Sequence, residues 1–188
     1  GRGVCRLAKR RRRHGSKNAA PTENIMSERQ RTYTWADPSQ TVQAGQTMAG
    51  IDFLRAMRDG TLAQCSFQRT TDYDLVEVED GRVVFEGRPG EYLLNPLGAV
   101  HGGYFAGMLD SALGCAIHSR LPAGFSYTTL EFKLNMVRPL PTDGRVIRAI
   151  GEVVHPGRKI ATSEARLEDS DDKLYAHGTC SCMIFNPT

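Results

Sequence analysis

The stretch Asn95-Pro-Leu-Gly-Ala-Val-His101-Gly102-Gly103-Tyr-Phe-Ala-Gly107-Met-Leu-Asp110 decides the fold, because it puts a glycine pair at the start of an apolar helix and one carboxylate inside it. From Gly102 to Ser119, the apolar residues Phe105, Met108, Leu109, Ala112, Leu113 and Ala116 recur at helical spacing and predict one long buried helix. Asp110 lies off that stripe. It shares a face with Gly103, Gly107 and Gly114, which is so poor in side chains that backbone or ligand can come close.

Helix geometry limits how these parts cooperate. Asp110 is eight residues beyond Gly102, so the two stand about 12 Å apart on one helix. That is too far to grip one small reacting group. Free N–H groups at a helix N-terminus carry partial positive charge and hold a polarised carbonyl oxygen, which suits Gly102 and Gly103 as oxyanion donors. Two antiparallel helices about a two-fold axis would bring Asp110 of one copy to Gly102 of the other, so the motif predicts a dimer.

Outward from the helix, strand patterns precede and follow it. Leu75–Glu79 and Arg82–Glu86 flank Asp80-Gly81, a two-residue hairpin signal, and Ile51–Met57 predicts a short helix. Ser126–Val137, Arg145–His155, Lys159–Glu168 and Leu174–Phe185 alternate as strands, with turns at Pro139–Gly144, Pro156-Gly157 and Asp169–Asp172. The sum predicts a single α+β domain over residues 50–188, an antiparallel sheet wrapped round one long central helix. Residues 1–49 are expected to be a basic leader, up to 25, followed by a polar flexible arm.

Charge is uneven along the 188 residues. Residues 1–25 hold eight Lys or Arg against one Glu, so the overall +3 hides a remainder at −4. Arg10–Arg13 reads as a nucleic-acid or membrane-surface arm only in isolation. It has neither helical periodicity nor an apolar run after it, and Met26-Ser-Glu is the expected natural start. No partner nucleic acid and no membrane span are therefore expected. Five cysteines without a disulfide pattern suit a reducing cytoplasm.

The segment Asn95–Asp110, with Tyr127-Thr-Thr-Leu-Glu-Phe-Lys-Leu-Asn-Met-Val-Arg138-Pro139 and His155-Pro-Gly157-Arg158-Lys159-Ile-Ala-Thr, resembles the PaaI-type hotdog-fold acyl-CoA thioesterases over about residues 50–185. The resemblance implies the hotdog fold and hydrolysis of an acyl- or aryl-CoA thioester without metal or other cofactor. It also implies a homodimer or dimer of dimers, a homotetramer. By the same resemblance the Gly102 N–H polarises the thioester carbonyl, and Asp110 attacks it or activates water. Asn95 helps hold the carbonyl or the water, and Thr129 supports the water or the acid, with Thr128 in reserve because a one-residue shift reverses the face. His101 fixes the helix start and borders the site, with no role as a base, and Gly103 lies beside the substrate. Gly157-Arg158-Lys159 matches a turn that contacts the nucleotide end, where arginine binds phosphate well. Arg138 is a second cation by type. Tyr104, Met108, Leu94 and Phe125 are the candidate walls of an acyl pocket.

Other readings of the same residues stay open at this stage. Asn95 before Pro96 is also a turn former, Thr129 a β-branched strand residue, and the helix glycines a device for close packing. His177, Cys180 and Cys182 lack a second ligand pair, which leaves no metal site. No Gly-x-Ser-x-Gly elbow appears, and a hotdog dehydratase would need an acid–base pair that His101 and Asp110 do not form within one chain. The competing class is a hotdog module that binds acyl-CoA without cleaving it.

Overall fold

The computed structural model describes residues 28–186, so the basic leader lies outside the described residues. The chain divides into two units, Gly1–Thr32 and Tyr33–Thr188. Residues 28–32 hold no helix or strand, and the second unit contains every element below.

Three short helices, α1 (Ser39–Gly45), α2 (Gly50–Arg58) and α3 (Ser66–Thr71), precede the hairpin of β1 (Tyr73–Glu79) and β2 (Arg82–Gly87). A 3-10 turn at Glu91–Leu93 leads to the long helix α4 (Gly102–His118). Four strands follow: β3 (Ser126–Met136), β4 (Ile147–His155), β5 (Ile160–Asp169) and β6 (Leu174–Phe185). Two of the helices differ from the sequence reading. The stretch expected as a flexible arm contains α1, and α3 fell in an unassigned gap. Neither shows a helical apolar pattern: α1 buries no residue, and α3 is held by its cap, where the Gln68 side chain accepts from Cys65 N–H at 3.2 Å.

All six strands form one antiparallel sheet in the order β1-β2-β4-β5-β6-β3, wrapped round α4 in the hotdog arrangement. Helix α4 is the core. Phe105, Met108, Leu109, Ala112, Leu113 and Ala116 are all buried, as their spacing predicts. The helix comes unusually near the sheet at Gly151 of β4, where an added Cβ would lie 2.1 Å from the Ala112 carbonyl oxygen. Polar ties fix its height: Ser163 Oγ donates to the Leu113 carbonyl (2.8 Å), and Ser119 Oγ, at its C-terminal end, accepts from Gly81 N–H (2.8 Å). Gly81 itself, at φ +81°, closes the β1–β2 hairpin.

Among the described residues, strand β3 lies at the sheet edge and pairs only with β6. It carries a bulge: Thr129 pairs with Cys182 and Glu131 with Ser181, leaving Leu130 as an extra residue. Leu130, Phe132 and Met136 are exposed along this unpaired edge.

The opposite end of β6 is held by Asp169. Its carboxylate accepts from Tyr175 Oη (2.8 Å), from the N–H groups of Asp171 and Lys173, and from Arg145 (3.0 Å). These bonds, that of Tyr175 foremost, hold its pKa down to about 2. A depressed carboxylate contributes stability above its unfolded pKa and loses it as pH falls through the folded one. Asp169→Asn is thus expected to lower Tm at pH 6, with the gap to the parent protein closing as pH falls from 4 towards 2. Thermal unfolding at several pH values checks this.

Candidate active site

The candidate residues fall into two groups, at the start and in the middle of α4. At the start, the His101 backbone is extended and its Nδ1 accepts from Gly103 N–H at 2.9 Å, which makes His101 the N-cap. One donor of the glycine pair is thereby used. The N–H of Gly102 has no partner among the described residues, and it points out of the positive end of the helix. Before it, residues 95–99 form a tight turn in which Asn95 Oδ1 accepts from the N–H groups of Leu97 (2.9 Å) and Ala99 (3.2 Å). Asn95 is thus a turn former whose amide oxygen is spent, while its NH₂ is left to donate. Asn95 and Gly102 line one open trough of about 380 Å³, together with Phe105, Met136, Val137 and Arg138. Arg138 also donates to the Leu174 carbonyl at 2.6 Å.

Asp110 is half-buried two turns further on. Its Oδ1 accepts from Thr129 Oγ1 at 3.3 Å. Burial raises its pKa above the ordinary aspartate value, and the Thr129 bond opposes that rise. Thr129 thus meets the acid, whereas Thr128 is exposed on the other face of β3. The bare helix face expected round Asp110 is partly filled by two aromatic rings from the same chain. Added Cβ atoms would lie 2.8 Å from the Phe67 ring at Gly107, and 2.7 Å from the Tyr127 hydroxyl at Gly114. The glycines admit rings one turn to either side of the carboxylate. Gly114→Ala is expected to displace the Tyr127 ring from α4 and to lower Tm, which calorimetry reads directly.

The remaining candidates are scattered. Arg158 and Lys159 sit on the β4–β5 turn, and Arg158 borders a separate apolar cavity of about 330 Å³. Of the four proposed pocket walls, only Phe125 lines that cavity. Tyr104 and Met108 are core residues at 2% and 0% exposure, and Leu94 lies on the turn before the helix. They therefore do not share a pocket, because a residue on the apolar stripe of α4 faces the sheet. Cys180 and Cys182 point inward with sulfurs 3.7 Å apart, while His177 is exposed on the outer face. Sequence reasoning missed Tyr127, Phe67 and Met136. For Tyr127 a signal existed, since it lies two residues from Thr129 and shares its face of the strand. Nothing local marked Phe67, whose helix is too short to pattern.

No helix among the described residues is long and apolar enough to cross a membrane. Conserved protein PA5202 from Pseudomonas aeruginosa is similar in structure, with 28% identity and a TM-score of 0.61 over 65% of this chain and 95% of that one. A phenylacetic acid degradation-related protein from Ralstonia eutropha matches at 26% identity and TM-score 0.62, over 69% and 98% of the two chains. A thioesterase family protein from Silicibacter pomeroyi gives 25% and 0.62, over 71% and 98%. Residues 97–176 match the family model described as the thioesterase superfamily. That match runs through all of α4 and the strands that follow it as far as the start of β6, and together with these neighbours it marks the chain as a thioester hydrolase similar to the thioesterase superfamily.

Proposed function

We propose that the protein hydrolyses acyl-CoA thioesters at sites shared between two copies of the chain. The observation that carries this reading is a division of labour along α4: an unused N–H at Gly102, a desolvated carboxylate at Asp110, and about 12 Å of helix between them. The exposed edge of β3 supplies the means to close that gap. Antiparallel pairing of two β3 strands about Phe132–Lys133 sets Thr129 of one copy opposite Met136 of the other. Thr129 holds Asp110, and the Met136 methyl lies beside Gly102, 3.2 Å from where its Cβ would be. One such pairing therefore completes two sites.

In each site the Gly102 N–H, with the Asn95 amide as a second donor, binds the thioester oxygen as negative charge develops on it. Asp110 of the other copy either attacks the carbonyl carbon or takes a proton from the attacking water, held in place by Thr129. Hydrolysis adds water across the C–S bond, so the acid keeps the oxygen and the proton goes to the departing CoA sulfur. Arg138 borders the Gly102 trough and is the nearer cation for the CoA phosphates. Arg158 and Lys159 lie beyond the far end of the helix and would reach a nucleotide only from another dimer, in a dimer of dimers. The four described cysteines are free, which suits a reducing cytoplasm.

Thiol release from a panel of aliphatic and aromatic acyl-CoAs, with light scattering for the assembly state, tests the reading. Release by a dimer or tetramer supports it. Binding of acyl-CoA without release would make the protein a binding module instead.

A further inference from the structure

Asp110, Gly114 and Ile117 lie at i, i+4 and i+7 of α4 and share one helix face, with Ile117 roughly 10 Å beyond the acid. Ile117 lines the 330 Å³ cavity together with Leu121, Phe125, Val153, Ala161 and Ile184. That volume is at the lower end of the range that holds a small ligand. Between the acid and the cavity stands Tyr127. It faces α4 from β3, two residues from Thr129, and its cross-strand partner is Ile184 on the cavity wall. Its hydroxyl fills the space that Gly114 leaves. Its ring packs at a tilt against His118 (centroids 5.4 Å apart), which packs likewise against Phe53 (5.3 Å).

We propose that Tyr127 is a specificity-determining gate: it separates the acid from a preformed apolar cavity and so confines the substrate to short or single-ring acyl groups. The inference rests on the thioesterase reading above. Its direction follows from chemistry. The trough beside Gly102 is open and carries Arg138 and Asn95, which suits a long polar carrier, whereas the space beyond Tyr127 is walled mainly by apolar side chains, with Arg120, Arg158 and Asn186 also on its lining, and suits a hydrocarbon tail. Arg120, at the cavity rim, already pairs with Asp80 at 3.4 Å. Removal of the Tyr127 ring would join the space over Asp110 to the cavity.

The test is the ratio of kcat/KM for decanoyl-CoA to that for butyryl-CoA, measured in the parent protein, Tyr127→Phe and Tyr127→Ala. Tyr127→Leu replaces the alanine variant if that protein fails to fold. The expected ratio rises tenfold or more in Tyr127→Ala, stays at the parent value in Tyr127→Phe, and falls back in Tyr127→Ala with Ile117→Trp, which fills the cavity. A folded Tyr127→Ala protein whose ratio stays within twofold of the parent overturns the gate. If no variant releases thiol from any acyl-CoA, the thioesterase reading falls by itself. Calorimetric binding of decanoate then decides the gate: a tenfold gain in affinity for Tyr127→Ala sustains it, and equal affinity overturns it.

Discussion

Asp110→Asn is expected to lower kcat/KM for the preferred acyl-CoA by about 10²-fold or more, the scale set by loss of a positioned base or nucleophile. The same substitution should raise Tm at neutral pH. The folded pKa of Asp110 is raised, chiefly by burial, so its favourable contribution exists at low pH and is lost as pH rises through that folded value. Above it the native chain carries a desolvated charge that asparagine lacks, while the Asn oxygen still accepts from Thr129. The stability gain should therefore fade as pH falls below the ordinary aspartate range. The parent protein's kcat/KM should show an acid limb above that range for the same reason. An Asp110→Asn protein that hydrolyses at the parent rate sinks the assignment; one that is merely less stable would mean that the acid is structural.

Gly102→Pro isolates the other half of the site. Position 102 is the first residue of α4 and its predecessor His101 is extended (φ −62°, ψ 138°), a combination that accepts proline. The substitution deletes one N–H and, of the described atoms, disturbs mainly the flexible Met136 side chain. Loss of one oxyanion donor predicts a fall of about 10²–10³-fold in kcat. Mixing the two inactive proteins is the sharper measurement. If each site draws Gly102 and Asp110 from different copies, half the sites of a mixed dimer are intact, so a random mixture should recover about a quarter of parent activity. Absence of any recovery from a mixture shown to exchange subunits would place both residues in one chain's site.

The helix and the sheet were legible because both obey simple periods. Six apolar residues on one stripe predicted α4, and alternation predicted strands within two or three residues of their ends. The pairing of Thr129 with Asp110 was also within reach, since alignment on the Arg138-Pro139 turn sets the face. What was not legible depends on contacts between distant segments. No local pattern shows that Phe67 and Tyr127 settle on Gly107 and Gly114, whereas the place of His101 at the helix start was legible, and there it takes the Gly103 donor. The sheet order, which puts β3 at an edge, likewise follows from which strands bury the same helix rather than from any one strand's residues.

The bulge at Leu130 works as a frame shift in the alternation of faces. Before it, the odd-numbered Tyr127 and Thr129 look towards α4; after it the even-numbered Phe132, Leu134 and Met136 do, opposite Cys180, Gly178 and Ala176. Both ends of the strand thus serve the same side although their numbers disagree. Deleting the single residue Leu130 would force one end to turn over, so the strand tolerates a change of side chain there far better than a change of length.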